Sequence, residues 1–450
     1  MAGRAQLAVT GIQDQWLTGE PQFSYFVTVY KRHTRFSTEA VEIPFTGESS
    51  FGRSVECHIP TNIGDLVRGV TLKVKLGNLS PHVLDSVPYE RYYYNIPLGK
   101  SIIKYADLVI GGQVIERLTG DYIYMYDQLH GNRDDVKQTL YYLNGHNETL
   151  TVTDGYNTFY VNLPFYFHRN PSLAVPVCTL TKQTVEVRIT FRDLDDDVSF
   201  KYTIPSNGQV TREKTTEGSI KSASLITDFY FITEDEKNFL RTRPMEYVIT
   251  QLQKSTVQFK PGELKKSVLL KFTNPVKELM FLAKEEIGSN FSTEDRLLNA
   301  SSTDQSFSSV LKGWMIGSAT NTKRSDHRTI KNIDFQCNGA TVFDHSGKYL
   351  AYQQALRYHT GCPDPAYEFY TYSFALKPEV YYPTGQLNMS RIIHKKLDIE
   401  LDTVPTVTSA HKTPAETATV ADKSRNINVS VYAVNYNVLR VESGLAGLKF

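Results

Sequence analysis

Ile103-Lys-Tyr-Ala-Asp-Leu-Val-Ile-Gly-Gly-Gln-Val-Ile-Glu-Arg-Leu-Thr-Gly-Asp-Tyr-Ile-Tyr-Met-Tyr-Asp-Gln-Leu129 has a counterpart 227 residues later. It is Ile330-Lys-Asn-Ile-Asp-Phe-Gln-Cys-Asn-Gly-Ala-Thr-Val-Phe-Asp-His-Ser-Gly-Lys-Tyr-Leu-Ala-Tyr-Gln-Gln-Ala-Leu356. The two align without a gap. Ile103, Lys104, Asp107, Gly112, Gly120, Tyr122 and Leu129 meet Ile330, Lys331, Asp334, Gly339, Gly347, Tyr349 and Leu356. Ile115 with Val342, Thr119 with Ser346 and Ile123 with Leu350 are conservative pairs. Each copy reads as strand, glycine-containing tight turn, strand, then helix. The helices are expected at about Gly120–Leu129 and Gly347–Arg357. Gly111-Gly112 lies between two strand-like runs, so it reads as a hairpin turn needing positive φ rather than a phosphate cradle.

Working outward, other segments fall into the same order while the offset drifts with loop length. Ser54-Val55 matches Ser267-Val268, and Val67-Arg68 matches Val276-Lys277. Phe159-Tyr160 matches Phe369-Tyr370, and the run ending at Phe191 matches the one ending at Leu401. Two copies of one β domain of roughly 200 residues each explain this. A polar, apolar-poor stretch near residues 205–225 is the expected join. The expected division is an N-terminal arm over residues 1–24, a first β domain over 25–215 and a second over 216–450.

Strict alternation supports the β reading. Val55, Cys57 and Ile59 alternate with polar neighbours, as do Val70, Leu72, Val74 and Leu76. So do Val185, Val187, Ile189 and Phe191, then Leu397, Ile399 and Leu401, and finally Val429 and Val431. Period-two runs separated by Gly, Pro, Asn and Ser mark antiparallel strands with one buried face. The 28 Tyr and 23 Phe suit such strands. Helices are few. Phe23, Phe26, Val27 and Tyr30 follow helical spacing after Pro21, and Thr233 with Glu236 forms a capping box for a helix closed by Pro244. The long polar stretches 131–157, 284–329 and 402–426 read as surface loops.

Bulk properties exclude several classes. At 450 residues with 49 Lys+Arg against 48 Asp+Glu, the net charge is +1, so there is no basic coat for naked nucleic acid and no acidic disordered solvator. No apolar run approaches the ~20 residues of a membrane helix, and Met1-Ala-Gly-Arg-Ala-Gln does not read as a signal peptide. A soluble protein made in the cytosol is expected. Cys57, Cys178, Cys337 and Cys362 are widely spread without a CxxC pair and are expected to be reduced, with Cys57 and Cys337 buried.

A search for chemistry returns almost nothing. Eleven histidines occur, yet none in His-x-His or HExxH spacing. His359 and Cys362 are three apart without a second pair, so no ligand role is assigned to them. The run Asp193 to Asp197 lacks EF-hand spacing and reads as a solvated loop. Lys31-Arg32-His33 with Arg35 reads as a solvated helix end. There is no nucleophile elbow, P-loop or dinucleotide fingerprint. The expectation is no catalytic, cofactor-binding or metal residue. A cupin-like or carbohydrate-active β enzyme would need convergent ligands, and a secreted lectin would need a signal peptide and disulfides.

Several ordered motifs then carry a family resemblance. Gln13-Asp-Gln-Trp-Leu-Thr-Gly-Glu-Pro-Gln-Phe-Ser-Tyr-Phe and Val29-Tyr-Lys-Arg-His-Thr-Arg-Phe resemble the opening of the major capsid proteins of nucleocytoplasmic large DNA viruses. Ile110-Gly-Gly-Gln-Val-Ile-Glu-Arg, Leu163-Pro-Phe-Tyr-Phe-His-Arg-Asn-Pro-Ser-Leu-Ala-Val-Pro, Asn274-Pro-Val-Lys-Glu-Leu-Met and Tyr372-Ser-Phe-Ala-Leu-Lys-Pro-Glu are similar too. So are Val431-Tyr-Ala-Val-Asn-Tyr-Asn-Val-Leu-Arg and Ser443-Gly-Leu-Ala-Gly-Leu. The resemblance implies a tandem double jelly roll, two eight-stranded antiparallel sandwiches with a few short helices. It implies a structural, non-enzymatic protein that assembles as homotrimeric, pseudo-hexagonal capsomers of an icosahedral virion shell, built in the host cytoplasm. Neighbouring capsomers, minor capsid and penton proteins are the implied partners. The arm would lie near an internal viral membrane, and no sequence-specific nucleic acid binding is implied.

Overall fold

Valine, isoleucine and phenylalanine on every second residue force one face of each strand out of water, and the strands of this chain pair accordingly. In a computed structural model, the described residues are 4, 7–9, 11–27, 30–79, 89–94, 101–131, 158–194, 198–204, 211–214, 217–285, 291–292, 330–361, 369–401 and 426–450. They divide into two units, Met1–Phe36 and Ser37–Phe450.

In the larger unit, eight strands make the sandwich of the first half: β1 (Phe36–Pro44), β2 (Ser54–Ile59), β3 (Leu66–Leu76), β4 (Ile103–Ile110), β5 (Gln113–Thr119), β6 (Thr158–Asn162), β7 (Val185–Phe191) and β8 (Ile220–Ile232). Tyr89–Tyr94, Ser199–Ile204 and Thr211–Lys214 form a separate small sheet with Phe291–Ser292. Eight more make the second half: β9 (Met245–Phe259), β10 (Lys265–Leu269), β11 (Pro275–Glu285), β12 (Ile330–Cys337), β13 (Ala340–Ser346), β14 (Phe369–Ser373), β15 (Lys395–Leu401) and β16 (Ile427–Glu442). The first half forms sheets ordered β1-β8-β3-β6 and β2-β7-β4-β5. The second forms β9-β16-β11-β14 and β10-β15-β12-β13, the same plan with every strand advanced by eight. The pairings β8-β3, β3-β6, β2-β7, β7-β4 and β4-β5, and all those given for the second half, are antiparallel. This is the double jelly roll, and it is mainly β.

The duplicated stretch lands on equivalent elements. Gly111 and Gly112, at φ 57° and 81°, turn β4 into β5. Asn338 and Gly339, at φ 50° and 86°, turn β12 into β13. Two consecutive positive-φ residues are what a tight hairpin between twisted strands demands. Helix α2 (Gly120–Leu129) follows β5, capped by the Thr119 hydroxyl accepting from the Tyr122 N–H at 3.2 Å. After β13 comes a π turn, Tyr349–Gln353, leading into a short helix (Gln354–Tyr358).

The predicted alternation becomes burial. β7 and β15 each bury every second residue: Val185, Val187, Ile189 and Phe191 in one, Leu397, Ile399 and Leu401 in the other. Cys57 is buried, which pushes its thiol up to about 11, whereas Cys337 is only half-buried.

Three expectations are corrected. Residues 220–232 go with the first half, not the second: β8 pairs with β3 from Ile220↔Leu76 to Tyr230↔Leu66, and Leu225 and Phe229 enter the first core. The described part of Phe23–Tyr30 is not helical; a seven-residue helix, α1 (Ile12–Thr18), forms upstream instead, with the Asp14 carboxylate accepting from the Gly11 N–H at 2.9 Å. Helix α3 (Glu234–Thr242) begins after Thr233 without a side-chain cap, so the capping box is not made, although the chain is extended again at Arg243 ahead of Pro244. The expected loops fall mostly outside the described residues, as do Cys362 and Asp195–Asp197.

Candidate functional site

The element that fixes the two sandwiches to each other is the sheet β9-β16-β11-β14, and its sequence explains why. On β11, Leu279 and Phe281 point into the second half's own core, while the intervening Met280 and Leu282 join the core of the first half. On β16, Val429, Val431 and Ala433 face one core, and Tyr432 and Val434 face the other. A sheet covered on both faces must be apolar on both faces. β16 accordingly stays buried without interruption from Val429 to Asn437. Burying a large apolar side chain contributes about 1.5–3 kcal/mol, so this shared face is a strong coupling.

Polar ties flank it. The Gln251 side chain donates to the Ile115 carbonyl at 2.5 Å, and the Gly361 N–H donates to the Leu129 carbonyl at 2.7 Å. The chain end contributes as well. Ser443 and Gly444, both at positive φ, turn β16 into the short strand Leu445–Leu448. From that hairpin the Ala446 N–H donates to the Gln183 side chain at 2.7 Å, and the Gly444 carbonyl accepts from the Lys182 N–H at 3.3 Å. Tyr432 lies 3.4 Å from the Asp121 carboxylate through its hydroxyl, and Asp121 lies 3.5 Å from Arg192.

At one end of the junction, buried ionisable groups from distant segments converge. His130 directly follows α2, and His359 directly follows the helix Gln354–Tyr358, so the two stand at matching helix ends of the two halves. Their rings meet edge to face with centroids 5.9 Å apart. His359 Nε2 lies 3.4 Å from the Glu278 carboxylate, and its Nδ1 lies 3.4 Å from that of Glu379. Glu379 also accepts from the Thr360 N–H at 2.9 Å. Burial opposes charge on His359, but the two carboxylates override it and push its pKa up to about 9. Burial alone would raise Glu379; His359 and the Thr360 N–H hold it down at about 2. Burial also works against charge on Glu278, yet Lys277 and His359 hold its carboxyl below the ordinary value. His130 is pushed the other way, to about 3, by burial and by Arg169, whose guanidinium donates to the His130 carbonyl.

This cluster is invisible to a spacing search. In the sequence the nearest ligand-type neighbour of His359 is Cys362, which lies outside the described residues. The groups that His359 meets come from about 80 and 230 residues upstream and 20 downstream. Only the packing of one half on the other brings them together, and the single available signal is that His130 and His359 each end the helix of their repeat.

A second feature is carried by the smaller unit. Within Met1–Phe36, Leu7, Val9, Ile12, Trp16 and Leu17 are exposed, followed by Phe23, Tyr25, Phe26, Val27 and Tyr30. Trp16 is 88% exposed and Phe26 97%. The basic run Lys31-Arg32-His33 and Arg35 is exposed too, as expected, although it does not end a helix: the described residues between α1 and Lys31 are not helical.

Comparison with known proteins adds the family. A model described as the major capsid protein N-terminus matches residues 24–233, and one described as the large eukaryotic DNA virus major capsid protein matches residues 236–447. The major capsid protein of Phaeocystis pouchetii virus is 28% identical, with 100% of this chain and 99% of that protein covered. That of Paramecium bursaria Chlorella virus 1 is likewise 28% identical, over 100% of this chain and 99% of the other. Among solved structures, a quasi-atomic model of the PBCV-1 virus capsid superposes with a TM-score of 0.69 at 25% identity, covering 95% of this chain and 100% of that one. The faustovirus major capsid protein shares the fold, with a TM-score of 0.59 at 12% identity over 98% and 96% of the two chains. With the two family models abutting at α3, where the strand plan begins its second round, the chain belongs to the major capsid protein family of large eukaryotic DNA viruses.

Proposed function

We propose that this chain is the shell-building subunit of an icosahedral virion and works as a homotrimer with a pseudo-hexagonal outline. The family is one of structural capsid proteins, so the chain is not an enzyme. The observation that carries the reading is the repeated eight-strand plan with one sheet buried on both faces. Two similar sandwiches in fixed relation give each subunit two near-equivalent sides, and three subunits then give six, which tile a plane. Jelly-roll walls leave few free strand edges for uncontrolled pairing. Cyclic closure of the trimer keeps the contact from propagating as a fibre.

In this reading the join between sandwiches is α3, the first sandwich runs over residues 37–232 and the second over 245–448. The exposed apolar segment within Met1–Phe36 is an arm for contacts made on assembly, with neighbouring capsomers, minor capsid or penton proteins, or an internal membrane surface. Assembly takes place in the host cytoplasm. The near-neutral charge supports a shell wall that does not read nucleic acid sequence. Solution mass of the purified protein by light scattering, followed by negative-stain imaging, tests the reading. A mass of three chains and a hexagonal outline are expected, and a stable monomer or an even-numbered ring at micromolar concentration overturns it.

A further inference from the structure

The sandwich junction contains a donor set that shell building does not call for. One ligand atom each from His130, His359 and Glu379 can be chosen so that all lie within 4.8 Å of one another. We propose that His130, His359 and Glu379 bind one divalent transition-metal ion of the zinc type, which clamps the two jelly rolls together.

Four observations carry this. The donor chemistry comes first: two imidazoles and a carboxylate are a set that zinc accepts, with a fourth position left for water. Second, each histidine has its other edge engaged, the arrangement that orients metal-binding imidazoles. His130 Nδ1 lies 3.0 Å from the Tyr126 carbonyl, and its ring stacks on Tyr126 at 3.9 Å, which leaves Nε2 as the lone-pair nitrogen. His359 turns Nε2 to Glu278 and Nδ1 to Glu379. The Glu278 carboxylate thus stands behind His359 as a supporting acceptor.

Third, the cluster is buried yet incompletely satisfied. The side chains of His359 and Glu278 are each 1% exposed. Both ring nitrogens of His359 and Oε2 of Glu278 lack a hydrogen bond of good geometry. Their 3.4 Å separations are ion-pair distances without the alignment of a hydrogen bond. Buried polar atoms in that state are costly. An ion on the Glu379 side would engage Nδ1 and leave the Nε2–H to Glu278.

Fourth, the charges suit a cation. Glu278 and Glu379 face the site, with Lys277 3.7 Å from Glu278 and Arg169 directed at the His130 carbonyl. Lys277 is also drawn off to the Pro378 carbonyl at 2.9 Å. Because one ligand belongs to the first half and two to the second, the ion would act as a cross-link between them.

The test uses the full chain, treated with chelator and then dialysed against cobalt or zinc. We expect one ion per chain by elemental analysis, a visible cobalt spectrum of the low-symmetry type, and a melting midpoint that rises with each decade of free zinc. His130→Gln and Glu379→Gln should abolish uptake, Glu278→Gln should weaken it by about 10–100-fold, and His58→Gln, at an exposed surface pair, should leave it intact. Wild-type protein that takes up less than half an ion per chain, or whose melting ignores zinc, overturns the proposal. So does undiminished uptake by a folded His130→Gln variant. Uptake by wild type is read without any variant, so misfolding of one cannot hide the answer, and no readout depends on the trimer.

Discussion

Glu116 shows how one residue can tie shell stability to pH. It lies on β5, only 5% exposed, and its carboxylate accepts from the Tyr166 N–H at 2.8 Å. Burial pushes its pKa up to about 8, against the pull of that N–H and of Lys277. The folded chain therefore holds a proton on Glu116 at pH values where the unfolded chain has released it. The stability from the protonated form is complete below the ordinary carboxylate pKa and drains away as pH climbs through about 8. At about 1.36 kcal/mol per pKa unit, the loss reaches several kcal/mol in mildly alkaline solution. Glu116→Gln keeps an oxygen for the Tyr166 N–H and cannot ionise. Melting of the variant should be flatter than wild type between pH 5 and 9, and higher at the alkaline end. Equal slopes for the two proteins would show that Glu116 is neutral or charged in both folded and unfolded chains alike.

At the scale of elements, the duplication makes a paired prediction. A Cβ on Gly112 or on Gly339 would meet nothing within 4 Å, so alanine at either site carries only the backbone cost of φ 81° or 86°. Each substitution should lower stability by about 1 kcal/mol. The two turns lie in different sheets, so the double variant should show the sum. Gly347→Ala should be far worse, because its Cβ would stand 2.0 Å from the Ile330 carbonyl oxygen. Denaturant titration of the four proteins decides, and a large difference between the two hairpin variants would sink the equivalence. The same elements show what was legible in the sequence. Period two and paired glycines are local, so strands β2, β3, β7 and β15 and both hairpins could be read directly. The end of the first sandwich could not, because β8 belongs to it through pairing with β3, a contact made across about 150 residues. The second apolar face of β16 was partly on view in Tyr432 and Val434, but only docking of the other half gives those residues a partner. The His130–His359 cluster is of the same kind. The helix expected at Phe23–Tyr30 failed for the opposite reason. Its spacing is correct, but a short helix without a surface to bury its stripe is marginal.

For the whole molecule, the question is what covers the apolar side chains of Met1–Phe36. Leu7, Val9, Ile12, Trp16 and Leu17 are each at least 78% exposed, and α1 buries none of its residues. Left in water, five such side chains forgo on the order of 1.5–3 kcal/mol apiece, and a patch of this size promotes aggregation. A shell protein has a use for it. In the function proposed above, this segment is held for the contact made after the capsomer forms. On this argument the segment contributes to the shell and not to the fold. Deleting residues 2–20 should leave a soluble trimer with an unchanged melting midpoint and reduced aggregation at high concentration. The same protein should fail to close shells, or to associate with the minor capsid proteins, in a reconstituted assembly monitored by sedimentation and electron microscopy. Replacing Trp16 and Leu17 by Ser should reproduce the assembly defect with the arm present, which separates apolar contact from mere chain length. If the truncated chain is instead insoluble, or sediments as a monomer, these residues are folded against their own subunit or its trimer mates, and the arm is part of the capsomer's core.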